Sequence, residues 1–277
     1  MTHGDLFVSL ETFYDAVPRQ RARAEEYGNL VLFVPDGFVP GGGVFPLYAR
    51  PRPGAGTPTA GDVTTVRGRQ RDLGLPEAFE WVHDNTPDFL EVAEAAGLSV
   101  LHAPLLVLDP AALPETPPGV RILDPQAGTF GDELAVRHAV AHVAFGAPGT
   151  AVGASGTSAR DAAVKPMDAD RLRGEVERAV AGQAAHAVAE VPGDGVVASG
   201  VYQRAGAVAE IVGVATLPAA RRRGLGAAVT VALARHAIDH GATTVFLSAA
   251  EEAVARVYAR VGFRRIGTAC IAEPPSP

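Results

Sequence analysis

One cysteine, Cys270, stands alone in a chain of 277 residues. That excludes an internal disulfide framework and a metal site built from thiolates. Basic residues are also short: 24 Lys and Arg face 31 Asp and Glu, for a net charge of -7. A general nucleic-acid binder needs a basic face to neutralise phosphates, so that class is disfavoured. A cationic or neutral substrate suits the balance better. No run approaches the roughly 20 apolar residues of a membrane span, so no membrane role is expected. Residues 1–10 lack the basic start and apolar stretch of a secretory leader, which points to a cytoplasmic protein. What remains is globular: 47% hydrophobic and 20% charged residues, enough for one large domain or two ordinary ones.

Residues 109–119 contain four prolines, and 111–119 reads as a linker dividing the chain into residues 1–110 and 120–277. In the first region, residues 10–26 have helical character and residues 30–34 and 45–50 are strand-like. The glycine-rich stretch 35–43 forms a loop between those strands. Asp62 is placed as an N-cap before a helix reaching Leu73. Residues 79–83 suggest a strand, 87–96 a helix ended by Gly97, and 98–108 an apolar strand. The second region opens with strand 120–123 and helix 132–145, then a loop over 149–169 and a helix over 170–181. Three consecutive strands follow at 184–191, 196–203 and 208–216, joined by Gly-containing turns. Helix 224–240, strand 243–247, helix 251–261 and strand 264–271 complete it.

The sharpest segment is the run Arg221-Arg222-Arg223-Gly224-Leu225-Gly226, where an apolar strand passes through a short loop into a helix. The first turn of a helix has N–H groups without internal partners, and the dipole adds partial positive charge. Glycines let an anion approach that backbone without a Cβ in the way. The segment is a phosphate cradle by construction. Downstream, Tyr258 lies shortly before Gly262-Phe263.

This ordered set resembles the GNAT superfamily of N-acetyltransferases. The hallmark Arg/Gln-x-x-Gly-x-Gly/Ala is matched by Arg221, Gly224 and Gly226, and a Tyr before Gly-Phe by Tyr258, Gly262 and Phe263. The resemblance covers roughly residues 120–274. It departs at Glu251, where many members start the last helix with Asn. The resemblance implies an α/β (α+β) fold: a mixed, mostly antiparallel twisted sheet flanked by helices. It implies acetyl-CoA as co-substrate and no metal. The loop Arg222, Arg223, Gly224, Leu225, Gly226 and Ala227, with Arg221, would hold the pyrophosphate. A bulged strand would offer amides of Val214, Ala215 and Thr216 to the pantetheine arm, one of them stabilising the oxyanion. Tyr258 sits where the family places its general acid. Glu210 matches the offset of the glutamate base in histone-acetylating members, although many relatives use water chains instead. The acceptor would be a primary amine of a small molecule or peptide, and a homodimer is allowed.

Other features carry less. His138 and His142 lie four apart on helix 132–145, a metal-like spacing with no third ligand in view. That helix is where the family often forms its acceptor site, so His142, Phe145 and loop 146–153 are candidate lining. The succession helix, strand, helix, strand occurs in residues 62–109 as well as 224–273. Aligned on Gly97 and Gly262, Tyr258 corresponds to Ala93, and Pro76 replaces the second small residue of the phosphate loop. A degenerate GNAT-like first domain and an unrelated α/β cap both fit. A non-catalytic acyl-CoA-binding regulatory module is the main alternative to an enzyme. The acceptor itself is not written in the sequence.

Overall fold

A computed structural model describes residues 3–35, 48–147 and 149–275. In chain order the elements are α1 (His3–Ala16), β1 (Ala22–Tyr27), β2 (Leu30–Pro35), β3 (Ala49–Pro51), α2 (Ala60–Leu73), β4 (Phe79–Val82), α3 (Phe89–Ala95) and β5 (Ser99–Leu108). Then come β6 (Val120–Ile122), α4 (Phe130–Phe145), α5 (Thr157–Ala163), α6 (Ala169–Val180), β7 (Ala184–Val191), β8 (Gly195–Ala205) and β9 (Val208–Thr216). The chain ends with α7 (Leu225–Asp239), β10 (Thr244–Ser248), α8 (Glu252–Ala259) and β11 (Phe263–Glu273). Two compact units result: Met1–Leu105 with Ile266–Pro277, and Leu106–Arg265. The partition counts the C-terminal segment with the first unit, whereas the linker reading kept it with the second. Among the described residues no helix is long and apolar enough to cross a membrane.

In the first unit the strands lie in the order β1-β2-β3-β4-β11-β5. The helix expected over residues 10–26 stops at Ala16 instead, and β1 replaces its second half. Pro18 cannot continue the interior of an α-helix and instead starts a short 3-10 turn, Pro18–Gln20. The alternation of Ala22 and Ala24 with Arg23 and Glu25 then fits a strand paired with β2, Ala24 opposite Phe33. Tertiary pairing overrides the helix propensity of the Ala and Glu residues. The strand expected at 45–50 appears as Ala49–Pro51; residues 36–47, including most of the predicted loop, lie outside the described residues. The α2 N-cap is Thr59, not Asp62. Asp62 is the third helical residue and completes a capping box: its amide donates to Thr59 Oγ1 and its carboxylate accepts from the Thr59 amide.

In the second unit the order is β10-β9-β8-β7-β6, antiparallel from β6 through β9 and parallel between β9 and β10. Part of the predicted loop over 149–169 is the short helix α5. The proline-rich span folds onto this unit: the Asp109 amide donates to Gly262 O at 2.9 Å and Arg235 Nη2 to Pro114 O at 2.7 Å. Helix α7 covers one face of the sheet, packing Val229, Leu233 and Ala237 on Ala187, Ala198, Ala209 and Ile211. A Cβ at Gly200 would meet Val229 Cγ1 at 2.9 Å, so this helix rides close on β8. Helix α4 covers the other face, with Val140 and Ala144 against Val197, Ala215 and Leu217. Ser199 Oγ donates to Arg137 O on α4, so alternate β8 residues Ser199, Val201 and Gln203 face that helix. Glu210 pairs with Gln203 and therefore shares this face.

The same local succession occurs twice. Three antiparallel strands, a helix and a strand parallel to the third are β1-β2-β3-α2-β4 in one unit and β7-β8-β9-α7-β10 in the other.

Candidate functional site

Strand β9 holds two irregularities that shape one groove. Ser199 pairs with Ala215 and Val201 with Val212, so Gly213 and Val214 oppose Gly200 alone. That is a β-bulge, and Gly213 supports it with a φ of 61°. The second irregularity lies on the other edge. Parallel pairing with β10 runs only through Val208, Ala209 and Glu210, the last opposite Phe246. Beyond Glu210 the two strands part. The opening is a groove of about 900 Å³, with Ile211 to Thr216 on one side and Ser248, Ala249 and Ala250 on the other.

The loop at residues 221–226 and the N-terminus of α7 line the same groove. Gly224 caps the helix in the left-handed region at φ 76°, a conformation an L side chain resists. The first α-type bond of α7 is Ala228 N–H to Gly224 O, leaving the earlier amides for an anion. Gly226 adds room: a Cβ there would touch Thr216 Oγ1 at 3.4 Å and Val214 Cγ1 at 3.7 Å. Arg222 is the one non-glycine residue with positive φ among the described residues, at 66°. Such a backbone costs of order 1–3 kcal/mol and persists only where its surroundings impose it.

The three arginines behave differently. Arg221 lines the groove, but its guanidinium is already occupied. It donates to the carbonyls of Thr216 at 3.3 Å, Ala151 at 3.1 Å, Ala144 at 2.9 Å and Ala147 at 2.6 Å. Arg221 therefore binds the C-terminal carbonyls of α4 to the end of β9, which leaves Arg222 as the groove-facing arginine. Arg223 is exposed and is not part of the lining.

On the far wall, α8 presents Ala253, Val254, Arg256, Val257 and Tyr258, with Arg260 at its C-cap. Tyr258 is 8% exposed and edges onto Phe263 with ring centroids 6.1 Å apart. Burial pushes its phenol up to about 12. It belongs to the core and to the groove wall at once. Glu210 is buried at the vertex where the strands part, next to the first lining residue, Ile211, and is not itself in the lining.

On the α4 side, Phe145 lines the groove and is largely exposed, with Thr150 beside it. His142 is exposed and outside the lining. Its neighbour His138 is mostly buried and held low, at about 4, by burial and then by the Arg137 charge. Among the described residues no group of three or more His, Cys, Asp or Glu side chains is arranged for a metal. Of the residues named from the sequence, Val214, Ala215, Thr216, Arg221, Arg222, Gly224, Leu225, Gly226, Ala227, Tyr258 and Phe145 come together on one groove. Arg256 and Arg260 were missed. Their spacing of four on an amphipathic helix was the available signal.

Residues 178–272 match the family model described as FR47-like protein. Solved structures share the architecture. A GCN5-related N-acetyltransferase from Kribbella flavida superposes with a TM-score of 0.68 at 22% identity, covering 98% of this chain and 96% of its own. A GNAT-family protein from Novosphingobium aromaticivorans DSM 12444 gives 0.53 at 18% identity, over 91% and 92%. A tandem GNAT protein from the clavulanic acid biosynthesis pathway gives 0.51 at 18% identity, over 90% and 79%. Among curated proteins none matches by sequence.

Proposed function

We propose that this chain, whose fold is that of the GNAT superfamily, is an acetyl-CoA-dependent N-acetyltransferase acting on a primary amine of a small molecule or peptide. One observation carries the reading. The parting of β9 and β10 beyond Glu210 opens directly onto the uncapped N-terminus of α7. The fit to the donor is supported by Gly224, whose positive φ turns the loop into the helix, and by Gly226, whose small size leaves the first turn unobstructed. When bound, acetyl-CoA supplies an acetyl group activated as a thioester. The amides of Leu225, Gly226 and Ala227 and the charge of Arg222 hold the pyrophosphate. The bulged segment Val214–Thr216 turns backbone amides toward the arm and the thioester oxygen. Tyr258 Oη holds a proton at neutral pH and gives it to the departing sulfur. Glu210 takes the proton the acceptor ammonium must lose.

The first unit repeats the strand order without the chemistry: Ala93 is fully buried where the alignment on Gly97 and Gly262 sets Tyr258. We read it as a degenerate GNAT-like body joined to the catalytic one, in a cytoplasmic monomer or homodimer. The absence of Glu210 from the groove lining favours, as second reading, an acyl-CoA-binding module that does not turn over. Isothermal titration with acetyl-CoA, followed by thiol release over an amine panel, separates the two. Tight binding without thiol release supports the module; no binding at all sinks both.

A further inference from the structure

Arg137 lies on α4 and is 8% exposed. Its Nε is buried with no hydrogen-bond partner, and no carboxylate among the described residues lies within ion-pair distance. The carboxylate whose field it feels most is Glu175, but Glu175 is committed to Arg178 at 2.5 Å. His138 and His186 nearby are both pushed down, first by burial. Burial also draws Arg137 down to about 10, which still leaves it charged at neutral pH. A buried cation without a counter-ion is costly, and folding alone gives no reason to keep it.

The guanidinium lies against the bulge of β9, behind the groove wall, and Arg137 itself is outside the lining. A Cβ on Gly213 would meet Arg137 Nη2 at 3.2 Å, and Gly213 is both the bulge residue of β9 and part of the groove lining. Glu210 lies on the same face of the same strand, about 10 Å along at three residues' rise. One face of β9 thus carries a carboxylate toward its start and meets a guanidinium at its bulge.

We infer that Arg137 anchors a carboxylate carried by the acceptor, so that the acceptor is an amino acid or a peptide-like amine with a nearby carboxylate, rather than a simple amine. A guanidinium fork matches a carboxylate bidentately, which an ammonium cannot do. Glu210, on the same face, faces the ammonium end. This inference rests on the acetyltransferase reading for the amine's fate, but not for the carboxylate contact itself.

The test uses the full chain with glycine, L-leucine and L-glutamate, each beside its α-carboxamide. In thermal-shift measurements the free acids should raise the melting temperature and the carboxamides should not. With acetyl-CoA present, the free acids should be turned over at least tenfold more efficiently. Arg137→Met should melt at the same temperature or higher, since it removes an unpaired charge. It should also keep acetyl-CoA affinity and lose the preference for the acid through KM. Arg137→Lys, which keeps the charge, should retain part of that preference and serves if the Met variant does not fold. Free acids and carboxamides that behave alike in the wild type, whether both act or neither does, overturn the inference, as does a folded Arg137→Met that keeps the preference. Acetyl-CoA consumed equally with both sets sinks only the carboxylate contact. Absent acetyl-CoA binding sinks the acetyltransferase reading, while the thermal-shift comparison still judges Arg137.

Discussion

Arg221 Nη2 donates to the carbonyl oxygen of Ala144 at 2.9 Å, across 77 positions of sequence. The bond fastens the end of α4 to the loop that opens α7. Backbone clips run alongside: Gly153 N–H donates to Pro218 O at 3.1 Å and Ala219 N–H to Ser155 O at 3.0 Å. The wall expected to meet the acceptor and the loop expected to hold the donor are thus one mechanical piece.

Arg221→Ala should therefore act first on stability. Hydrogen bonds from a charged donor contribute about 1.5–3 kcal/mol each and are not additive, so a loss of roughly 2 kcal/mol or more is expected in urea denaturation. Arg222→Ala should show the opposite pattern, with stability held and acetyl-CoA affinity reduced more steeply at low salt than at high salt. Calorimetric binding of both variants checks the contrast. A stable Arg221→Ala that no longer binds would return Arg221 to the phosphate site.

The two loop glycines should respond differently. Gly224→Ala forces a side chain into φ 76° and should cost about 1–2 kcal/mol in melting stability. Gly226→Ala meets only ordinary contacts and should fold and bind much as the parent does. Gly226→Val projects branched methyls where the anion is expected and should weaken acetyl-CoA binding tenfold or more at unchanged melting temperature. An unweakened Val variant would place the pyrophosphate elsewhere.

Tyr258→Phe should lower turnover by an order of magnitude or more without changing acetyl-CoA affinity, the usual scale of acid catalysis. The same residue makes a stability prediction. Its folded pKa of about 12 lies above the usual value near 10. Below pH 10 both states keep the proton and this group adds no slope. Between pH 10 and 12 the unfolded chain ionises first, so stability falls by about 2–3 kcal/mol across that window. Urea titrations of the Phe variant should lack that share of the alkaline loss.

Glu210→Gln should reduce kcat tenfold or more at neutral pH while leaving acetyl-CoA binding intact. Raising the pH toward the acceptor's own pKa should recover much of the loss, because the amine then arrives neutral. A pH–rate profile parallel to the parent's would mean that water, not Glu210, removes the proton.

The second unit was legible where local chemistry decides it. The strand meander, the Gly224 turn and the helix start are short-range features, and the loop gained its meaning only together with the meander before it and Tyr258 after it. Features made by distant chain were not legible. The partners of Arg221 are carbonyls of Ala144, Ala147 and Ala151, and a carbonyl leaves no signature in sequence. Arg137 looks like any helical arginine until its burial and the missing Cβ of Gly213 are seen together. β1 was misread because Ala and Glu favour helix, while the pairing that overrides them comes from β2. Glu210 was found by offset alone; its place at the vertex depends on where β10 stops pairing.

The strand order of the first unit has a temporal side. β11 lies between β4 and β5, with Ala269 opposite Val82 and Ala272 opposite Phe79. Residues 79–108 leave the ribosome long before residues 269–272 exist, so the unit made first is the one that waits. Until then β4 and β5 have unpaired edges, and these invite the wrong strand. Closure of the first unit therefore waits for β11, which follows α7, β10 and α8 of the second unit in the chain.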